Sequence, residues 1–255
     1  MTIVKNDLPI LEYDDDKGAV VMPRHENLPL TLPERAVFAF LADAVDEYAK
    51  KSGAKVVGYF ESATKNYPIY VLGKGEKEVC LAQAPVGAAA ATQILDWLFA
   101  YGVKKVISAG CCGVLEDFAE NEFLVPTRAL RDEGTSYHYA PPSRFIEVQD
   151  EALDAIKAAL DAHDVPYREV ITWTTDGFFR ETKEKVAYRK EEGCSVVEME
   201  CSALAACAQF RKKVFGQILY AGDTLADADE YDARDWGKSF RDEALELSFD
   251  AVLRL

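Results

Sequence analysis

The stretch Ser195-Val196-Val197-Glu198-Met199-Glu200-Cys201-Ser202-Ala203-Leu204-Ala205-Ala206 narrows the possible folds more than any other part of this chain. It reads as a short apolar strand that ends in two carboxylates flanking a methionine and runs directly into a helix of small residues. A strand that feeds a helix in this way belongs to an α/β architecture. In open α/β sheets, side chains at the carboxyl ends of strands point into the ligand-binding crevice. Carboxylates there are costly to bury without donors, which makes Glu198 and Glu200 candidates for holding hydroxyl groups.

The rest of the chain repeats the pattern. Arg35 to Phe40 predicts a buried strand, and Ala42 to Lys51 a helix ended by Ser52-Gly53. Lys55 to Phe60, Tyr67 to Leu72 and Glu78 to Ala84 are strand candidates, the last two joined through Gly73-Lys74-Gly75. Pro85-Val86-Gly87 opens a helix from Ala88 to Tyr101 with Gly102 at its C-terminal cap, and Val103 to Ser108 is the next core strand. It leads into Ala109-Gly110-Cys111-Cys112-Gly113, which reads either as a plain tight turn or as a turn whose backbone N–H groups approach a ligand. Further on come a short strand at Leu124 to Pro126, a long loop from Arg128 to Pro142, and a helix from Glu151 to His163. A β-branched strand, Val170 to Thr175, ends at Asp176-Gly177-Phe178-Phe179-Arg180-Glu181-Thr182, whose aromatics either stack a flat ring or close the core. A charged helix from Lys183 to Glu192 precedes the opening stretch. Phe215 to Ala221 is a last strand, ending in Gly222-Asp223-Thr224, and Asp235 to Leu255 a last helix. The expected fold is a single-domain α/β structure of three layers, α/β/α, around a central mixed, twisted sheet. The first 33 residues are set apart as a tail, an arm over a partner subunit, or a hairpin through Ala19-Val20-Val21-Met22.

Charge and composition exclude several functions. A formal charge of -15 over 255 residues argues against nucleic acid or an anionic membrane as partner. No apolar run approaches the roughly 20 residues of a membrane span, and the polar, acidic start lacks a signal-peptide pattern, so a cytoplasmic location is expected. Six scattered cysteines without C-x-x-C spacing and three histidines predict no metal site.

The run Val196 to Leu204 resembles the V-x-E-M-E-[SA]-x-A-[LI] signature of the nucleoside phosphorylase superfamily, which includes purine nucleoside and uridine phosphorylases and adenosylhomocysteine-type nucleosidases. Four more segments fall in the matching order: Ile107 to Gly113, Asp132 to Pro141 (similar to a D-G-x-S-x-H-[FY]-x-P loop), Thr174 to Phe179, and Gly222-Asp223. The resemblance implies a catalytic domain over 34–255, cleavage of the N-glycosidic bond of a nucleoside, and no cofactor beyond phosphate as a co-substrate. It also implies a homo-oligomer, because members of the superfamily place active sites at subunit contacts. By the same resemblance Glu200 binds the ribose hydroxyls, Met199 packs beneath the sugar, and Glu198 meets the sugar or base edge. Phe178 stacks on the base, Arg180 and Thr182 stand where a pyrimidine would be read, and Asp223 protonates purine N7. On its own Asp223 reads as a turn or helix-cap aspartate.

The departures lie on the side of the attacking group. Phosphorylases of this superfamily carry a G-D-P-x-R loop after the first strand, where this chain has Phe40-Leu41-Ala42-Asp43-Ala44-Val45-Asp46. Ser108 stands in place of an arginine, Cys111 in place of a hydroxyl residue beside Gly110, and a further arginine position falls near Glu61. Arg24 and Arg35 are the available substitutes. Family precedent favours phosphate as acceptor, with purine over uridine. The substitutions favour water, activated by Asp43 or Asp46. A protein that binds nucleosides without turning them over is the remaining alternative.

Overall fold

The computed structural model of the chain describes residues 2–227 and 229–255. Its strands are β1 (Arg35–Ala39), β2 (Lys55–Glu61), β3 (Asn66–Leu72), β4 (Val79–Gln83), β5 (Lys105–Val114), β6 (Phe123–Asp132), β7 (Phe145–Glu147), β8 (Tyr167–Thr175), β9 (Val196–Glu198) and β10 (Val214–Thr224). The helices are α1 (Asp43–Lys51), α2 (Ala88–Ala100), α3 (Asp150–Ala162), α4 (Lys183–Glu191), α5 (Cys201–Arg211) and α6 (Arg241–Arg254). One mixed sheet runs β2-β3-β4-β1-β5-β9-β8-β6-β10, with β7 beside β6. The expected α/β class and mixed central sheet are therefore what the chain adopts.

An additional pairing of β10 with β5 folds half of that sheet back on itself, so that β5, β9, β8, β6 and β10 close into a ring. This closure explains why nearly every residue of β5 and β10 is buried. It also brings the carboxyl ends of β5, β8, β9 and β10 to one place. Helices α3 and α6 pack on one side, against β10, β5 and β1, while α2 and α5 pack against each other on the other side.

Several expectations change. Ala109 to Gly113 is not a turn but the continuation of β5, paired with β10 from Gly110 opposite Leu219 to Cys112 opposite Ala221. Its glycines serve close packing: a Cβ on Gly110 would lie 3.1 Å from Phe40 Cβ, and one on Gly113 would lie 2.9 Å from Leu225 Cδ1 and 3.0 Å from Val197 Cγ1. The predicted loop from Arg128 begins as strand, because β6 continues to Asp132 against β8. The last helix starts at Arg241 and not at Asp235. Before it, Arg234, Asp235, Trp236 and Gly237 all have positive φ, a left-handed turn that costs the three non-glycine residues backbone strain. Gly237 admits no side chain, since its Cβ would sit 2.5 Å from Tyr220 Cε2.

No hairpin forms through Ala19 to Met22. The N-terminal segment makes one short 3-10 turn, Pro9–Leu11, and a bridge between Val4 and Tyr13, before Leu28, Leu30 and Leu32 pack onto the core. Among the described residues no helix is long and apolar enough to cross a membrane, and no group of histidine, cysteine or acidic side chains is arranged to hold a metal ion.

Candidate active site

A cavity of about 470 Å³ opens where the ring's strands end. Its floor and walls come from Gly110 to Gly113 of β5, Val197 and Glu198 of β9, Met199 and Glu200 at the start of α5, and Gln217 and Asp223 of β10. Phe40, Val86, Phe178, Glu181 and Trp236 close its sides. The volume lies within the range of small-molecule sites.

The two glutamates of the opening motif have different environments. Glu198 is buried, and its carboxylate is fully engaged by the protein: Oε1 accepts from Thr172 Oγ1 (3.1 Å) and Thr174 Oγ1 (2.6 Å), Oε2 from the backbone N–H of Glu200 (2.7 Å) and Cys201 (2.6 Å). The acceptor sits on the first amides of α5, where the helix leaves N–H groups without partners and favours negative charge. Burial pushes its pKa up and these four donors pull the other way. Glu198 therefore shapes the strand-to-helix junction, and has little acceptor capacity left for the sugar or base edge that the resemblance implied.

Glu200 is likewise buried, but only one of its oxygens has a protein donor, the Gly87 N–H at the start of α2. Burial, then the charge of Glu198, raises its pKa to about 8. The other oxygen is available to the cavity. Met199 lies between the two glutamates on the cavity wall, as the motif implies.

At the opposite end Asp223 and Glu181 face each other. Asp223 is 6% exposed and its pKa is raised by burial, against the hydrogen bond from Tyr231 and the charge of Arg234. Glu181 has no ion pair or hydrogen bond among the described residues, and burial followed by the charge of Asp223 raises it to about 7. Burial raises both carboxyls, and the charge of Asp223 adds to the rise at Glu181. Phe178 and Trp236 stand beside them, ring centroids 6.0 Å apart. This end has apolar faces for a flat ring and an acid at its edge.

Other predicted site residues lie elsewhere. Asp43 and Asp46 are exposed in the first turn of α1, where acids suit the helix dipole; Asp46 accepts from Tyr70 Oη at 2.9 Å, and neither lines the cavity. Thr182 is the N-cap of α4, accepting from Lys185 N at 3.4 Å, and Arg180 is exposed; neither reaches the cavity. Arg24 lies over the Tyr101 ring and Arg35 binds the Glu76 carbonyl at the opposite end of β1, so neither replaces the missing cations. Ser108 is fully buried behind the cavity wall, whereas Gly110 and Cys111 line it. The Asp132 to Pro141 segment is a brace, not part of the lining. Glu133 takes the N–H groups of Thr135 and Ser136 and the Ser202 hydroxyl, tying the loop to α5, and Arg131 is bound by Ser136, Ser143 and two carbonyls.

Glu181, Gln217 and Trp236 were not singled out from the sequence. Glu181 sits in a segment noted for its aromatics, and its proximity to Asp223 depends on the tertiary fold. No lysine, arginine or histidine is among the described lining residues. Cations outside the lining act on it by charge: Arg241 on Cys111, Arg234 on Asp223 and Lys185 on Glu181.

The cavity thus has the Glu200 carboxyl at one end and two carboxyls beside aromatic faces at the other. The chain belongs to the nucleoside phosphorylase superfamily: a sequence model described as "Phosphorylase superfamily" matches residues 34–255. It is therefore an enzyme of the group whose members cleave N-glycosidic bonds with phosphate or with water. Among relatives, a DeoD-type purine nucleoside phosphorylase of Brevibacillus brevis is 27% identical over 162 residues, 60% of this chain and 66% of that one. The AMP nucleosidase of Bacteroides thetaiotaomicron superposes with a TM-score of 0.71 at 25% identity, covering 87% of this chain and 88% of that one. Uridine phosphorylase of Vibrio fischeri shares the fold, with a TM-score of 0.74 at 19% identity over 88% and 93% of the two chains.

Proposed function

We propose that this cavity hydrolyses the N-glycosidic bond of a purine nucleoside. The observation that carries the reading is its charge pattern: Glu181, Glu198, Glu200 and Asp223 line it with no cationic side chain. A phosphate dianion is held by charge-assisted hydrogen bonds, and the described lining offers it no cationic donor. Water needs none.

The chemistry follows from the two ends. Breaking the bond between C1 of the sugar and the base nitrogen builds positive charge on the sugar and negative charge on the base. Glu200 accepts from the ribose hydroxyls, with Met199 packed against the sugar. The base packs against the aromatic wall that Phe178 and Trp236 form. Asp223, aided by Glu181, gives the departing base its proton; purine N7 is the basic ring atom available for this, which favours purine over pyrimidine. Glu198 and its four donors hold the backbone of Glu200 in place.

Phosphorolysis is the second reading, favoured by the charge of Arg241 acting on Cys111 and by the similarity to the Brevibacillus phosphorylase. Binding without turnover is disfavoured by the proton-retaining pair at the base end. Incubation with inosine, guanosine, adenosine and uridine, with and without phosphate, separates the three. Free ribose at a phosphate-independent rate supports hydrolysis, base released only with phosphate overturns it, and tight binding with no product supports the binding protein.

A further inference from the structure

Ser108 and Gln217 face each other across the parallel β5–β10 pair. Register partners leave a sheet on the same face, so their side chains are neighbours. The adjacent positions Ile107 and Gly216 point the other way, against Ala152 and Ile156 of α3. The polar pair therefore lies on the cavity side, where Gln217 is part of the wall. Both residues are closed from solvent, at 0% and 1% exposed, and Ser108 Oγ and Gln217 Oε1 have no hydrogen-bond partner among the described residues.

Two such groups are expensive, at about 1–3 kcal/mol each when buried and unpaired. Leu219 and Ala221 fill the next positions of the same face of β10 without that cost. A half-turn of the Gln217 carboxamide about its last bond exchanges its oxygen and nitrogen. In that rotamer the oxygen takes the less enclosed of the two positions, where it can accept from a donor in the cavity.

We propose that Gln217 holds the attacking water, its carboxamide oxygen accepting one water O–H. The inference rests on the hydrolytic reading above. It gives the enzyme a neutral acceptor subsite in place of an anion site, so that Gln217 determines which nucleophile is used. The water oxygen bonds to C1 as the C1–N bond breaks. The bonding pair leaves with the base, which takes a proton from the Asp223–Glu181 pair, and the proton shed by the water restores that pair. Gln217 moves no proton; it lowers the cost of bringing a small nucleophile to the carbon in the right orientation.

The test uses the full chain, with inosine as substrate and methanol as a competing acceptor. In Gln217→Leu, kcat for hydrolysis is expected to fall about 10- to 100-fold with KM within about twofold, since only placement of the nucleophile is lost. The ratio of methyl riboside to ribose rises, and the melting temperature holds or increases because a buried unpaired amide has been removed. Wild-type kcat and partition in Gln217→Leu overturn the assignment, as does a fall in melting temperature with loss of active sites and no change in partition. Should the leucine variant fail to fold, Gln217→Met carries the same readouts. Wild-type protein that releases base only with phosphate removes the hydrolytic reading itself, a result distinct from unchanged partition in a hydrolysing wild type.

Discussion

Replacing Glu198 by alanine separates a structural carboxylate from a substrate-binding one. In the folded protein this side chain satisfies two threonine hydroxyls and two backbone amides at the start of α5, all within 3.1 Å. The hydroxyls rotate to other acceptors, but the two buried amides have none, at roughly 1–3 kcal/mol each. Loss of favourable charge at a helix N-terminus adds up to about 1 kcal/mol. The expected total is about 4 kcal/mol, which for a chain of this size corresponds to a drop in melting temperature of about 10 °C. Glu198→Gln retains one oxygen for the amides and offers an N–H2 to the hydroxyls, so its cost stays below about 2 kcal/mol. Urea unfolding of the three proteins at pH 7, beside their kcat/KM for inosine, reads both quantities. A Glu198→Ala protein as stable as wild type but without activity would refute the cap and return Glu198 to the substrate.

The remaining predictions concern protons. Glu200 has its pKa raised to about 8 in the fold, above the ordinary carboxylate value, so the stability linked to it is fully present below the unfolded pKa and is lost as pH rises toward and through 8. Glu200→Gln is therefore expected to melt near wild type at pH 5, above it at pH 9, and to lose most kcat/KM at both; a variant less stable at pH 9 contradicts the assignment. Glu181, raised to about 7, is partly protonated at neutral pH. Base release is expected to decline as pH rises through that value, and Glu181→Gln to remove this limb from the rate profile, whereas an unchanged profile would leave Asp223 as the sole acid.

The alternating strands and helices were legible because apolar runs and helical periodicity are local properties. The Glu198-Met199-Glu200 junction and Asp223 were legible too, because carboxylates at strand ends are costly wherever the fold places them. What escaped was set by pairing between distant segments. Ser108 becomes a neighbour of Gln217 only through the β5–β10 register, and the same pairing turns the expected glycine turn into strand. Glu181 meets Asp223 only when the ends of β8 and β10 converge. Asp43, Asp46 and Thr182 were plausible site residues by position and type, but helix N-termini use the same residue types, and those requirements explain where the three lie. Trp236 reaches the cavity through a left-handed turn that no helical periodicity announces.

The central claim is that water attacks the sugar in a cavity lined by acids. A single-turnover reaction with inosine in 18O-labelled water, with and without phosphate, tests it directly. The account predicts free ribose carrying one 18O at C1, at a rate that phosphate leaves unchanged. Unlabelled ribose 1-phosphate, formed only when phosphate is present, would contradict it.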